Sequence, residues 1–258
     1  MHRPKKSLGQ NFLIDRNICS KIASCIDIQR LDRVVEIGPG KGALTEHIAG
    51  CTDRLLVLEK DFSLCRELKA RFPGLAVINT DVLDWDWTRM PGSERLKILG
   101  NLPYNIASRI LWDLAGQHQV LDSAVFMVQK EVARRIVSRP GGKTYGMLSV
   151  WLQSHFEVRI MFCVSPRVFR PVPGVDSAVV GFFRKMDKKI FWGPSLEKLL
   201  KMMFQQRRKQ VRKILSSYWN DDLNLFFRHK GIQPQARPET LDPEVFQQLS
   251  GLIYPENQ

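Results

Sequence analysis

Five short apolar, β-branched runs recur along the first half of the chain: Val34 to Ile37, Leu55 to Leu58, Leu75 to Ile78, Ile98 to Leu99 and Ala124 to Val128. Between them lie segments of helical period. This rhythm constrains the fold more than any other feature. Strands that read as unbroken apolar runs must be covered on both faces, and helices crossing between parallel neighbours supply that cover. The expected fold is α/β, with a doubly wound sheet. A later run, Ser177 to Phe183, reads as a strand paired with the region Val158 to Val164, an antiparallel edge on the same sheet.

After Arg184 the sequence turns polar and helix-periodic, without strand-like runs. The chain is therefore expected to divide into a catalytic domain over residues 1–184 and a helical domain over 185–258, a division that suits its length of 258 residues. The helical part is dominated by LEKLLKMMFQQRRKQVRKIL, residues 196–215, read as one amphipathic helix. Leu196, Leu200, Met203, Val211 and Ile214 fall on one stripe, and Lys198, Lys201, Arg208 and Arg212 on another. Alone, the second stripe is equally a solvated surface. The formal net charge of +13, from 39 Lys and Arg against 26 Asp and Glu, favours contact with an RNA backbone, because basic surface gains free energy by releasing counterions from phosphates.

Cys19, Cys25, Cys51, Cys65 and Cys163 are odd in number and never spaced C-x-x-C, which argues against a zinc site or a disulfide framework and for a reducing cytoplasm. No apolar run approaches the roughly 20 residues that a bilayer span needs, so no membrane association is expected. The start, MHRPKKSLGQNFL, lacks the apolar stretch of a signal peptide. Its basic, acid-free character suggests a mitochondrial presequence, but the LGQNFL motif begins at Leu8 and leaves no room for cleavage.

VVEIGPGKGAL, residues 34–44, is a strand running into Gly38, Gly40 and Gly42 and then a helix. Glycines let the backbone turn tightly and approach a ligand closely. The spacing also satisfies the dinucleotide fingerprint, so the acids nearby decide the reading. Glu36 precedes the glycines, where it would repel a pyrophosphate and welcome a ligand bearing an ammonium and a sulfonium. Glu59 ends the next strand, 21 residues after Gly38, and is placed to accept both hydroxyls of a ribose. Asp81, ending the third strand, can accept from an adenine amine. Local alternatives exist: a helix-cap partner for Glu36, and the N-cap of the DVLDW turn for Asp81. Their shared place at the carboxyl ends of successive strands favours a nucleoside cation as ligand.

ILGNLPYNIAS, residues 98–108, closes the fourth strand with Asn101, Leu102, Pro103 and Tyr104. An adenine amine is a poor nucleophile because its lone pair is delocalised into the ring. Two acceptors for its N–H groups, the Asn101 side-chain oxygen and the Leu102 carbonyl, would draw the nitrogen toward tetrahedral geometry with its lone pair aimed at an electrophilic methyl. Pro103 would stiffen the turn and Tyr104 would stack on the base. In isolation the same residues make a capped proline turn with a core tyrosine.

Together with LGQNFL (residues 8–13), EIGPGKG and VFRPVPGVDSAVV (residues 168–180), this motif makes the chain resemble the KsgA-type ribosomal RNA adenine dimethyltransferases over nearly its whole length. The resemblance implies a Rossmann-like class I methyltransferase fold and S-adenosylmethionine as cofactor. The implied product is N6,N6-dimethyladenosine at two adjacent adenosines in a hairpin near the 3′ end of small-subunit ribosomal RNA, made during subunit biogenesis by a monomer. Loop adenosines suit such an enzyme because they are already partly unstacked. By the same resemblance Asn11, Leu13, Gly38, Glu59, Asp81 and Asn101 contact the cofactor or lie against it, and Phe169 closes on the target base opposite Tyr104, restoring stacking lost on extrusion. The third-strand motif, TDVLDW, departs slightly from the family pattern, and Trp85 and Trp87 have no assigned role.

Large-subunit adenine dimethyltransferases of macrolide resistance share the core motifs. The well-formed C-terminal region, VFRPVPGVDS and GQNFL favour the small-subunit type. DNA adenine methyltransferases typically carry an acidic D/N-P-P-Y and a target-recognition insert, and neither occurs here. A noncatalytic ribosome-assembly or transcription factor on this fold is the reading from another class, against which Asn101, Tyr104 and Glu59 stand intact. A nicotinamide oxidoreductase would bind NAD rather than S-adenosylhomocysteine.

Overall fold

The computed structural model describes residues 4–5, 8–87, 96–116, 120–185 and 193–255. The described strands are β1 (Phe12–Leu13), β2 (Arg33–Ile37), β3 (Arg54–Glu59), β4 (Ala76–Asn79), β5 (Leu96–Asn101), β6 (Leu121–Gln129), β7 (Phe156–Val164), β8 (Phe169–Arg170) and β9 (Ser177–Arg184). The helices are α1 (Arg16–Ala23), α2 (Thr45–Ile48), α3 (Phe62–Arg71), α4 (Ala107–Gly116), α5 (Lys130–Ile136), α6 (Met147–His155), α7 (Gly193–Gln205), α8 (Val211–Ile214), α9 (Asp221–His229) and α10 (Pro243–Ile253). They form two compact units, one from residues up to 133 together with 156–184, the other from 134–155 together with residues from 185 onward.

In the first unit seven strands make one sheet in the order β4-β3-β2-β5-β6-β9-β7. The first five are parallel, and β9 runs antiparallel between β6 and β7, as the Ser177 to Phe183 run foretold. Val34, Val35, Ile37, Val57, Leu99 and Val125 are all at most 2% exposed, as strands covered on both faces require. The chain passes from β2 outward to β3 and β4, then returns to lay β5 on the other side of β2. That reversal opens a crevice at the carboxyl ends of β2 and β5, where ligands of open α/β sheets bind. Separately, β1 pairs antiparallel with β8, which ties the N-terminal segment to the VFRPVPG segment.

The second unit differs from a single cut after residue 184, because residues 134–155 group with the C-terminal helices. The cause lies in α6, MLSVWLQSH, which buries Val150, Trp151 and Leu152 as well as Ser149, Ser154 and His155, so it needs cover nearly all round. Tyr145 Oη donates to the Leu241 carbonyl (2.8 Å), and Gln247 Nε2 to the Ser154 carbonyl (3.0 Å).

Nor is 196–215 one helix. It breaks after Gln205 and resumes at Val211. The N–H groups of Val211 and Arg212 turn away from the preceding turn and donate to the carbonyls of Ala236 (2.8 Å) and Pro234 (3.1 Å). Residues 206–210 are all polar, so nothing apolar anchors that stretch as helix. The expected apolar residues are nevertheless buried, Leu196, Leu200 and Met203 from α7 and Val211 and Ile214 from α8.

Candidate active site

The crevice is lined by residues 8–13, 36–41, 43–44, 58–60, 80–83 and 101–106. Its floor is the glycine loop leaving β2. Gly38, Gly40 and Gly42 hold φ of +64°, +58° and +78°, a left-handed conformation that side chains disfavour. Gly38 N–H donates to the Leu58 carbonyl (2.9 Å), fastening the loop to β3. A Cβ on Gly40 would stand 3.0 Å from the Phe12 ring, so the N-terminal segment lies directly on the loop.

Three carboxyls face this crevice. Glu36 is 1% exposed and accepts from Thr45 Oγ1 at 2.6 Å; burial pushes its pKa up to about 8. Glu59 is pinned at both oxygens, Oε2 accepting from Gly40 N–H (3.1 Å) and Oε1 from Asp61 N–H (2.7 Å). Burial raises its pKa against those backbone bonds. Asp81 caps a short 3-10 turn through Leu83 N–H (3.0 Å) and pairs with Lys60 Nζ (2.5 Å). Burial opposes its ionisation, but Lys60 and the Leu83 N–H outweigh it and hold the carboxyl below the usual range. Asp81 is thus both the N-cap and a crevice residue. Each carboxylate oxygen keeps lone-pair capacity beyond the bonds named.

The 101–104 turn is tethered on three sides. Asn101 Nδ2 donates to the Asn11 carbonyl (3.0 Å), which fixes the amide's orientation and leaves Oδ1 as the acceptor. Leu102, buried, donates its N–H to the Met127 carbonyl of β6 (3.1 Å). Pro103 accepts from Ile106 N–H (3.2 Å), and Tyr104 Oη shares a 2.6 Å hydrogen bond with Ser177 Oγ. Burial raises the Tyr104 pKa, so the phenol is neutral at physiological pH. Immediately upstream, a Cβ on Gly100 would run into the Ile37 carbonyl, which is how closely β2 and β5 approach beneath the site.

The sequence profile of the ribosomal RNA adenine dimethylase family matches residues 1–253. The chain belongs to that family. Among its relatives, the protein named ribosomal RNA small subunit methyltransferase A of Oleidesulfovibrio alaskensis is 47% identical over 257 residues, covering 97% of this chain and 91% of the relative. The protein of the same name from Nitratidesulfovibrio vulgaris is 47% identical over 250 residues, covering 95% and 94%. Solved structures agree in fold. A dimethyladenosine transferase from Plasmodium falciparum superposes with TM-score 0.77 at 24% identity, covering 92% of this chain and 95% of that one. The 23S rRNA methyltransferase ErmE gives TM-score 0.73 at 26% identity, covering 94% and 99%.

In this dimethylase-family chain the crevice gathers Asn11, Leu13, Glu36, Gly38, Gly40, Glu59, Asp81, Asn101, Leu102, Pro103 and Tyr104. It does not gather Phe169. That ring is 0% exposed in the core cluster with Leu13, Val164 and Val179, because pairing of β8 with β1 sets Leu13 opposite Phe169. A wall opposite Tyr104 is therefore not formed by Phe169 in this conformation. In the helical unit, Lys198 Nζ lies 4.3 Å from the Tyr254 ring centroid, Lys201 pairs with Glu197 (2.6 Å), Arg212 lies 5.6 Å from the Trp219 centroid, and Arg208 is exposed in the 206–210 turn.

Two features were missed in the sequence. Asp61, its side chain fully buried, binds Lys5 Nζ (2.9 Å) and Gln10 Nε2 (3.3 Å), latching the N-terminal segment beside the crevice. Ser177 anchors Tyr104. An acid two residues after Glu59, and a serine opening a strand, were the available signals. Among the described residues no helix is long and apolar enough to cross a membrane, and no group of three or more His, Cys, Asp or Glu is placed to hold a metal.

Proposed function

We propose that this protein transfers methyl groups from S-adenosylmethionine to N6 of two adjacent adenosines in the 3′-terminal hairpin of small-subunit ribosomal RNA. The crevice suits that cofactor in its donor set, with left-handed glycines that allow close approach and three carboxyls suited to a cationic nucleoside. Glu59 would take the ribose hydroxyls, Asp81 the adenine amine, and Glu36 would sit near the ammonium, with Asn11, Leu13, Gly38 and Gly40 against the ligand. When bound, S-adenosylmethionine supplies an electrophilic methyl on sulfonium sulfur.

The observation that carries the reading is the Asn101 amide, whose nitrogen is committed to the Asn11 carbonyl so that Oδ1 is left to accept. In the first transfer Asn101 Oδ1 and the Leu102 carbonyl grip the two N–H groups of the target amine and turn its lone pair toward the methyl; in the second, one of them holds the single N–H that remains. Their stabilisation grows as the nitrogen gains positive charge, which is why it acts on the transition state. Tyr104 offers a face for the extruded base. No strong base is needed, because the methylated amine is acidic while cationic and releases its proton to water. Lys198, Lys201, Arg208 and Arg212 supply phosphate contacts. The partner is the immature small subunit in the cytoplasm, and the protein acts as a monomer.

The test is incubation with labelled S-adenosylmethionine and small subunits from a strain lacking the enzyme, followed by nucleoside analysis. Dimethyladenosine in the small-subunit RNA is expected. Label confined to large-subunit RNA, or none, would refute the assignment.

A further inference from the structure

Strand β6 is the common reference for both halves of the target side of the crevice. On one side Asn101 lies opposite Met127 in the β5–β6 ladder, and Leu102 N–H continues it to the Met127 carbonyl. On the other, Gln129 lies opposite Ser177, which opens β9. Ser177 is fixed with unusual care. It is 0% exposed and flanked by two strands, with Val164 of β7 opposite it as well. Its neighbour Asp176 is clamped twice by Lys130, through Lys130 N–H to the Asp176 carbonyl (2.9 Å) and an ion pair (2.9 Å). The Tyr104–Ser177 bond of 2.6 Å then closes a loop from β5 through the 101–104 turn to β9 and back through β6.

A tyrosine side chain swings about Cα–Cβ, so a ring held only at its base sweeps a wide arc. Tethering the oxygen at the far end fixes the direction of the ring axis. A phenol O–H also keeps to the plane of its ring by conjugation, so a partner at a fixed point biases the ring's spin too. Such control has value where a face must meet a base, since a misplacement of about 1 Å near the reacting atoms costs up to about a hundredfold in rate.

We propose that Ser177 is a positioning residue for methyl transfer, its hydroxyl holding the tip of Tyr104 so that the substrate meets the ring's face while the phenol is committed to Ser177. The proposal rests on the functional reading above and extends it to a residue remote from the glycine loop and its acids. It divides two roles for Tyr104. If the phenol is committed to Ser177, then Tyr104→Phe and Ser177→Ala remove the same interaction and no other. If the phenol instead works on the substrate, the two substitutions remove different things and their effects multiply.

The experiment compares wild type, Ser177→Ala, Tyr104→Phe and the double variant on undermethylated small subunits. It measures kcat, KM for S-adenosylmethionine, and the fluorescence of 2-aminopurine placed at the target position of a hairpin RNA. Each single variant is expected to lower kcat about tenfold, the weight of one hydrogen bond in a positioned site, with the cofactor KM unchanged. The double variant is expected to be no slower than either single one. Bound 2-aminopurine should be less quenched in all three, as its stack on the ring loosens. Wild-type kcat in Ser177→Ala or in Tyr104→Phe, or multiplying effects in the double variant, would overturn the proposal. Should Ser177→Ala fail to fold, Ser177→Cys, whose thiol is a much weaker partner for the phenol, takes its place in the same four-way comparison with Tyr104→Phe. A wild-type protein that leaves adenosine unmethylated would overturn the functional reading, and this inference with it.

Discussion

The 101–104 turn and the 206–210 turn are both loops between regular elements, yet one is held by buried tethers and the other at the surface. The first is bound through side chains as well as backbone, with Asn101 on the N-terminal segment, Leu102 on β6 and Tyr104 on β9. The second is followed by backbone bonds from Val211 and Arg212 to the carbonyls of Ala236 and Pro234 and carries one surface ion pair, Arg207 with Glu239 (3.0 Å), while Arg208 and Lys209 are exposed. A side chain whose every alternative orientation is excluded can carry directional chemistry. An exposed cation carries only charge, and its effect is shared with neighbours and screened by salt. The two turns should therefore respond to substitution on different scales.

Asn101→Ala tests the tethered turn most severely. It removes the Oδ1 acceptor and frees the Asn11 carbonyl, so single-turnover methyl transfer is expected to fall by at least about a hundredfold, the scale of one lost transition-state hydrogen bond. RNA affinity, measured by filter binding, should be largely retained. A variant that still dimethylates at the normal rate would erase the contrast. Next in size, Gly100→Ala drives a methyl into the Ile37 carbonyl and is expected to lower unfolding stability by about 1–3 kcal/mol, read from urea melts. An unchanged midpoint would mean that β2 and β5 part more easily than their spacing allows.

These two neighbouring residues also mark how far the sequence could be read. Asn101 stood out because its NLPY turn follows a glycine loop and two acids spaced at the ends of successive strands. Gly100 did not, because its need arises from the approach of a strand 63 positions away, counting from Ile37, and no local pattern records that distance. The strands were legible because apolar runs report their own burial. Ser177 and Asp61 were not, because a hydroxyl or a carboxylate looks the same in a loop as against a distant partner. Phe169 shows the converse. Its motif fits a base-stacking wall, but pairing with β1 draws the ring into the core. The 196–215 segment misled through its own periodicity, which persists across a break that only the carbonyls of Pro234 and Ala236 explain.

Within the crevice, at Glu36, burial acts on charge. Its folded-state pKa is raised from 4.5 to about 8, so the folded protein holds this proton more tightly than the unfolded chain. The stability it contributes is fully present below the unfolded value and is lost as pH rises through the folded one. In the ligand-free protein, the thermal midpoint of wild type should therefore drop more between pH 5 and pH 8 than that of Glu36→Gln, which keeps a hydrogen-bond acceptor for Thr45 and cannot ionise. Parallel curves would show that Glu36 ionises freely in the crevice.

The smallest effects belong to the exposed cations, and they differ among themselves. Neutralising Lys198, Lys201, Arg208 and Arg212 together should weaken binding to small-subunit RNA and flatten its salt dependence, each lost phosphate contact reducing the slope by about 0.7 to 0.9. Taken singly, Arg208→Ala is expected to move the slope more than Lys201→Ala, because Lys201 already shares its charge with Glu197 at 2.6 Å. A surface pair of that kind contributes only about 0–1 kcal/mol, so Lys201 exchanges one weak partner for another when a phosphate arrives, and few counterions are released. If all four substitutions leave the slope at its wild-type value, these four cations are solvated surface, and the RNA backbone is met by other basic residues of the chain.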